Sequence, residues 1–301
     1  MKIIIAGGTG FLGESLEEYF KIKGAQVYIL TRNPKRNFDL YWDAKTLEDW
    51  KDCIDGADVL INLTGKSVDC RYNEKNKKEI YTSRIASTKV LQQAVDQCSV
   101  KPKIWMNAAS ATIYVHSETQ LNTEDGGIVG DDFSMNICKS WEKEFFAVES
   151  PEVRKVALRT SIVLGTKGGA FPKLRTITRL GLGGKQGRGQ QKVSWIHIQD
   201  FCKAVEWIIE HQDISGPINI TAPNPLSNED LMKKMRKHLK IPFGLNAPVW
   251  QLEIASVFLN TETELLLKSR NVYPEKLIQS GFHFAYHEID DALSDLLKNK
   301  E

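Results

Sequence analysis

The chain opens with Lys2-Ile3-Ile4-Ile5-Ala6 and runs without a linker into Gly7-Gly8-Thr9-Gly10-Phe11-Leu12-Gly13. A short apolar strand, a glycine-rich turn and an amphipathic run (Leu12, Leu16, Tyr19, Phe20) follow one another within twenty residues. This is the element that holds a dinucleotide pyrophosphate. Glycine permits the tight turn, the close approach of backbone to phosphate, and the packing of helix on strand. The free N–H groups at the helix start then face an anion. The spacing is G-x-x-G-x-x-G, one residue longer between the first two glycines than the common fingerprint. Gly7, Thr9, Gly10, Phe11, Leu12 and Gly13 are therefore the first candidate cofactor residues.

Downstream, strand-like and helix-like segments alternate. Gln26–Leu30, Asp58–Leu63, Lys103–Ala108 and Val156–Arg159 read as strands. Glu79–Cys98 and Phe133–Phe146 read as helices between them. This rhythm predicts an α/β chain: a Rossmann-type doubly wound parallel sheet with right-handed crossovers. After about residue 165 the rhythm loosens into a smaller, mainly helical C-terminal lobe. The expected division is 1–165 for the dinucleotide domain, with later segments such as 190–222 contributing. Residues 166–301 then form the substrate-side lobe.

The second informative point is the end of the second strand. An acid there binds the ribose 2′-hydroxyl of NAD, and a base suits the 2′-phosphate of NADP. Here the chain reads Thr31-Arg32, with Lys35 and Arg36 nearby and no acid before Asp39. A guanidinium fork matches a phosphate dianion, so NADP is the expected cofactor. A net charge of +2 over 301 residues gives no reason to expect nucleic acid. No apolar run reaches membrane-spanning length, and the apolar opening reads as the first strand rather than a signal peptide. The five cysteines form no C-x-x-C pair. Reduced thiols in a cytoplasmic protein, without a metal site, are the expectation. The expected partner is a small molecule.

Further motifs carry a family resemblance. Leu30-Thr31-Arg32 and Ser110-Ala111-Thr112-Ile113-Tyr114 resemble the extended short-chain dehydrogenase/reductases, the nucleotide-sugar epimerase group. Trp42-Asp43, Asn62-Leu63-Thr64-Gly65, Ser83-Arg84-Ile85-Ala86-Ser87-Thr88 and Cys138-Lys139-Ser140-Trp141-Glu142 resemble an atypical "epimerase family" branch. So do Gly181–Gln190 with Ser194–Asp200, and Asn219–Pro223. That branch ends in a small domain of its own, to which Val272–Phe284 is similar, placing it at about 245–297. The resemblance implies that Asp43 meets the adenine and that Leu63, Thr64, Gly65 and Arg84 lie beside the cofactor. A substrate anion or a helix neighbour are the other partners open to Arg84.

In the superfamily a Tyr-x-x-x-Lys pair works with a serine on the preceding strand. The tyrosine moves the proton, the lysine lowers its pKa, and the serine binds the reacting oxygen. Ser110 and Lys139 occupy the serine and lysine positions. Met135, four residues before Lys139, has no proton to trade. Tyr114 is the candidate substitute, so the catalytic set is Ser110, Tyr114 and Lys139. The implied function is an NADP(H)-dependent oxidoreductase or epimerase-like enzyme acting at a secondary alcohol or carbonyl with a non-standard triad. The alternative is a non-catalytic NADP(H)-binding regulatory or sensor protein. The glycine-dense stretch 181–190 reads as a lid, a phosphate cradle or a flexible connection. His197 reads as a buried structural residue and Asp200 as a helix cap. Charged helices at 79–98 and 133–146 suggest a monomer or weak homodimer.

Overall fold

The structure, a computed structural model, describes residues 1–258 and 262–298. Residues 259–261 and 299–301 of the expected C-terminal lobe lie outside the described residues. The first half alternates as β1 (Lys2–Ala6), α1 (Phe11–Ile22), β2 (Gln26–Thr31), β3 (Asp39–Tyr41), β4 (Val59–Asn62), α2 (Glu74–Gln97), β5 (Ile104–Ser110), α3 (Phe133–Phe146) and β6 (Arg154–Thr160). The second half contains β7 (Ile162–Leu164), α4 (Phe171–Ile177), β8 (Lys192–Val193), β9 (Trp195–His197), α5 (Ile198–Glu210), β10 (Gly216–Ile220), β11 (Leu226–Ser227) and α6 (Asn228–Leu239). It ends with α7 (Val249–Phe258), α8 (Glu264–Leu267), α9 (Glu275–Gln279) and α10 (Ile289–Lys298).

Seven parallel strands form one sheet in the order β3-β2-β1-β4-β5-β6-β10. Side chains alternate across it. Ile3, Ile5, Val27, Ile29, Ile61 and Met106 face α1 and α5, meeting Leu16, Phe20, Phe201 and Val205. Ile4, Ala6, Leu30, Leu60 and Trp105 face the other way onto Val90, Leu91 and Val95 of α2 and Phe145 of α3. Both faces are covered, as an all-parallel sheet requires. Each buried aliphatic side chain contributes roughly 1.5–3 kcal/mol. A third cluster, with Phe171, Trp195, Leu231, Ile289 and Leu293, packs α6 and α10 against the β7–β9 pair.

The loosened rhythm after residue 165 understates the strands there. β10 completes the main sheet beside β6, in register from Gly216 opposite Val156 to Ile220 opposite Thr160. Its Gly216-Pro217 start resembles a turn, and Gly216 does take a φ of +74°. β3 has no signature along the sequence: three residues are too few to show a period. α2 begins five residues earlier than its apolar pattern, because Asn73 caps it by accepting from the Asn76 amide. Asp200 does not cap α5. The His197 Nδ1 does so, accepting from Gln199 N at 3.1 Å. Asp200 is buried in the first turn of the helix. Its two oxygens receive the amides of Ala285 and Tyr286 at 3.0 and 2.9 Å, clamping the C-terminal segment to the sheet domain.

Candidate functional site

The site is built where the strands end. In an open parallel sheet the carboxyl ends point into the ligand crevice, and Ala6, Thr31, Asn62 and Ser110 are such ends. At the first, Gly7 adopts φ +73°. A Cβ on Gly13 would lie 2.4 Å from Gly8 Cα, so helix and turn touch backbone to backbone. Gly10 is different: a Cβ there would meet nothing within 4 Å. It is the N-cap of α1 and brings no side-chain acceptor to the first-turn amides. Those donors face open space. The Phe11 ring closes the rear of the turn against Gly165, Gly168 and Gly169. Leu12 packs into the core.

At the end of β2, Thr31 Oγ1 lies 3.5 Å from Thr9 Oγ1 and accepts from the Asn33 amide. The three nearby cations then differ. Arg36 is engaged by Glu17 and Asp39. Lys35 gives its amide to the same Asp39. Arg32 is exposed and makes no ion pair or side-chain hydrogen bond among the described residues. At the end of β4, Leu63 is half-buried against the core. Thr64 donates its amide to Asn62 Oδ1 at 3.0 Å, yet its own hydroxyl is buried without a partner, facing Gly7. An orphaned hydroxyl beside a glycine turn with open space fits a dinucleotide. A Cβ on Gly65 would lie 3.1 Å from the Arg84 guanidinium carbon. Arg84 donates to the carbonyls of Lys66 and Ile80 at 3.0 and 2.9 Å and lies 4.9 Å from the Trp141 ring. Burial pushes its pKa down. Asp43 spends Oδ1 on the amides of Lys45 and Thr46, both at 2.8 Å. Desolvation opposes its charge, but those amides prevail and hold its pKa below the usual range.

The catalytic expectation needs one correction. Ser110, half-buried at the tip of β5, accepts from Thr112 N at 3.2 Å, which leaves its proton to give. Lys139 is half-buried on α3 and paired with the exposed Asp131. Tyr114 does not join them. It is wholly buried: its phenol donates to Asn219 Oδ1 at 2.9 Å and accepts from Arg159 Nη1 at 2.8 Å. Burial pushes its pKa up even though Arg159 opposes the rise. Arg159 in turn grips Glu142 through two bonds of 2.8 and 2.7 Å. Tyr114 is thus a member of a closed polar lattice joining α3, β6 and β10. Met135 is buried against Gly130, whose Cβ would lie 2.2 Å from its sulfur. Neither position presents a phenol to the crevice.

His197 is buried and neutral: burial lowers its pKa to about 4, although Asp295 lies 3.2 Å from Nε2. It stacks on Tyr286, with ring centroids 3.9 Å apart. The 181–190 stretch is not a free lid. It is laced to 245–247 by Gly184 N to Leu245 O, Gly187 N to Ala247 O and Ala247 N to Lys185 O. Nothing along the sequence marks Arg270. It follows α8, and Val272, two residues on, packs with Cys138 and Ala111 beside the tip of β5. A lone arginine in a polar loop carries no periodic or motif signal. Among the described residues no group of three metal-ligating side chains occurs, and no helix is long and apolar enough to cross a membrane.

Comparisons with known proteins agree with this fold. Residues 3–128 match the NAD dependent epimerase/dehydratase family, and residues 247–296 match a domain of unknown function, DUF1731. The chain is 34% identical to the epimerase family protein YfhF of Bacillus subtilis, covering 100% of this chain and 99% of that one. The crystal structure of human epimerase family protein SDR39U1 with NADPH superposes with a TM-score of 0.90 at 28% identity, covering 100% of both chains. A nucleoside-diphosphate sugar epimerase from Corynebacterium glutamicum gives 0.81 at 29%, over 99% of this chain and 58% of that one. With its parallel sheet, its glycine turn and its separate C-terminal domain, this chain belongs to the NAD-dependent epimerase/dehydratase family, in the branch of epimerase family proteins that ends in that domain.

Proposed function

We propose that the chain binds NADP(H) and acts as an oxidoreductase or epimerase-like enzyme at a secondary alcohol or carbonyl, without a catalytic tyrosine. The observation that carries the cofactor choice is Arg32. It stands at the end of β2 with no ion pair among the described residues, while Arg36 is held by two acids. Gly7, Gly10 and Gly13 with the first-turn amides of α1 receive the pyrophosphate. Thr9 and Thr31 flank it. Phe11 and Leu12 fix the turn. Leu63, Thr64, Gly65 and Asp43 line the adenosine side, the Thr64 hydroxyl gaining the partner it lacks. When bound, the cofactor would supply a hydride to a carbonyl in its reduced form, or accept one from a secondary alcohol in its oxidised form. The chain's own part is then to place the reacting oxygen and manage its proton. Ser110 donates its free hydroxyl proton to that oxygen as a hydrogen bond. Lys139 brings a positive charge to the same strand end. The human relative crystallised with NADPH supports this reading.

A second reading is favoured by the buried Tyr114 and Met135: an NADP(H)-binding sensor that performs no redox step. One experiment separates them. Calorimetry on wild type and Arg32→Ala comes first. Wild type should prefer NADPH to NADH, and the variant should lose about 1.5–3 kcal/mol with NADPH only. Equal wild-type affinity for the two cofactors removes the NADP assignment. A carbonyl panel read by NADPH consumption follows. Turnover that needs Ser110 and Lys139 supports the enzyme, and tight NADPH binding with no turnover supports the sensor.

A further inference from the structure

Exposed apolar side chains of the second half gather on one ridge. Leu180 and Leu182 are 69% and 49% exposed, and Phe243 and Leu245 are both 61% exposed. The two segments are joined by backbone bonds: Leu245 N donates to Gly181 O at 2.8 Å, and Gly184 N to Leu245 O at 3.1 Å. The Phe243 ring lies over Gly181, 2.8 Å from where a Cβ would stand. α7 starts at the same ridge, since Val249 lies 3.7 Å from the corresponding point on Gly187. Leu252 and Ser256, four residues apart, turn one face of α7 inward. Trp250 and Ile254, also four apart, look outward and are 59% and 52% exposed. A single exposed apolar residue is ordinary, but a contiguous ridge of them marks a contact surface.

The charge around this ridge has one sign. Residues 161–199 carry seven cations and no acid, and residues 231–252 carry five cations and no acid. Arg179 adjoins Leu180, and Lys240 precedes Phe243 by three residues. Lys185 lies where the two segments meet, giving its amide to Asn246 Oδ1 at 3.1 Å. None of these three side chains makes an ion pair among the described residues. Asp69 and Glu118 approach from the sheet domain but are taken by Lys173 and Arg188. Glu253 is the one acid on α7.

We propose that this ridge docks the protein on the surface of an anionic lipid bilayer. Leu180, Leu182, Phe243, Leu245 and Trp250 enter the boundary between headgroups and acyl chains, and Arg179, Lys185 and Lys240 meet the lipid phosphates. Tryptophan suits that depth, with an apolar body and an N–H at the polar edge. The contact is with the surface alone, since no helix among the described residues is long and apolar enough to cross a membrane. A second copy of the chain fits this ridge worse. An isologous contact would set the cations of one ridge against the same cations of the other. An acidic protein would meet the charges, but protein contacts are anchored by side chains seated in pockets. Here the apolar side chains stand out from turns and from one helix face. The proposal is independent of the cofactor reading.

The test sediments full-length protein with vesicles of phosphatidylcholine, with and without phosphatidylglycerol, and reads the bound fraction against vesicle concentration. Binding should need phosphatidylglycerol and should weaken as salt is raised, because exposed charges are screened. Leu180→Ser should weaken it about tenfold, since the leucine no longer enters the bilayer. Arg179→Gln and Lys240→Gln should each weaken it about fivefold. All three positions are exposed, so circular dichroism and melting temperature should stay at wild-type values. Trp250→Ser repeats the apolar arm on a different element, should Leu180→Ser fail to fold. The proposal is overturned if phosphatidylglycerol vesicles are not bound, or if the folded serine variants bind them as wild type does. Binding of soluble polyglutamate without binding of vesicles would assign the ridge to an acidic protein and also overturn it. So would a dimer in sedimentation velocity that Leu180→Ser separates, which would assign the ridge to a second copy.

Discussion

At the scale of single residues, the glycine turn and Tyr114 show opposite outcomes of local reasoning. Gly10 is read from spacing, and the structure gives it open space where a side chain would stand. Gly10→Val should therefore fold, as circular dichroism would report, yet lose NADPH in a calorimetric titration. A folded variant with wild-type affinity would take the phosphates away from this turn. Tyr114 lies four residues after Ser110, which makes it look like a spare acid. Its phenol is instead fixed by Arg159 and Asn219 inside the protein. Tyr114→Phe should leave NADPH affinity and any turnover unchanged. It should cost about 1–3 kcal/mol in chemical denaturation, because a buried arginine donor loses its acceptor. A large fall in turnover with unchanged stability would restore Tyr114 to the chemistry. Burial opposes the charge of Arg159, but the bidentate Glu142 outweighs it and raises the pKa above the ordinary value. The lattice therefore stays ionic. Met135→Tyr is no simple repair, since the sulfur already fills the space over Gly130 and overpacking costs about 1–3 kcal/mol.

At the scale of elements, β9 and α5 carry a titratable joint to the C-terminal segment. His197 caps α5, stacks on Tyr286 and faces Asp295 of α10. Burial lowers its folded pKa to about 4 from an ordinary 6.5. The unfolded chain therefore binds this proton first as pH falls. The contribution is present above about pH 6.5 and is lost as the pH drops toward 4. Between pH 7.5 and 5 the loss should be about 2 kcal/mol. Urea denaturation of wild type and His197→Gln checks it: the variant should lack that part of the slope. Parallel slopes would mean that His197 titrates in the folded protein as it does in the unfolded chain. Asp200 carries the opposite shift: burial raises its pKa although two amides stabilise its charge. It therefore favours the folded state only toward low pH, and its proton uptake partly offsets the histidine loss. The comparison with the variant removes that background.

At the scale of the whole molecule, α2 and α3 pack on each other through Trp141, whose indole donates to Thr88 at 3.2 Å. Their outer faces carry Lys75, Lys77, Lys78, Lys89, Lys143 and Glu144. An interface there would have to desolvate these charges, which favours a monomer or weak dimer. Sedimentation velocity over a wide concentration range should show it. A dimer that does not dissociate on dilution would contradict the charge reading. The C-terminal segment is held by apolar packing, with Leu277, Phe282 and Phe284 in the main core and Ile289 and Leu293 in the third cluster, and by hydrogen bonds: Asp200 to Ala285 and Tyr286, Ser194 to Arg270, Ser269 to Ser117, Asn122 to Asn271. The C-terminal segment is thus an integral part of the folded chain rather than a loose appendage.

The sequence alone determined the βαβ opening, the parallel sheet, the glycine turn and the basic end of β2. Each of these is local: a strand period, a turn chemistry or a single position fixes it, and the residues that matter are neighbours in the chain. Only the tertiary structure decided that β10 joins the sheet, that Tyr114 is sealed by Arg159 from forty-five residues away, and that Asp200 is a clamp instead of a cap. It alone separated Arg32, unpaired, from Arg36, which Glu17 has already claimed. It alone brought Val272 to the tip of β5, where it packs with Ala111 and Cys138. Charge pairing and burial depend on what folds back from a distance, and no pattern along the chain records which partner arrives first.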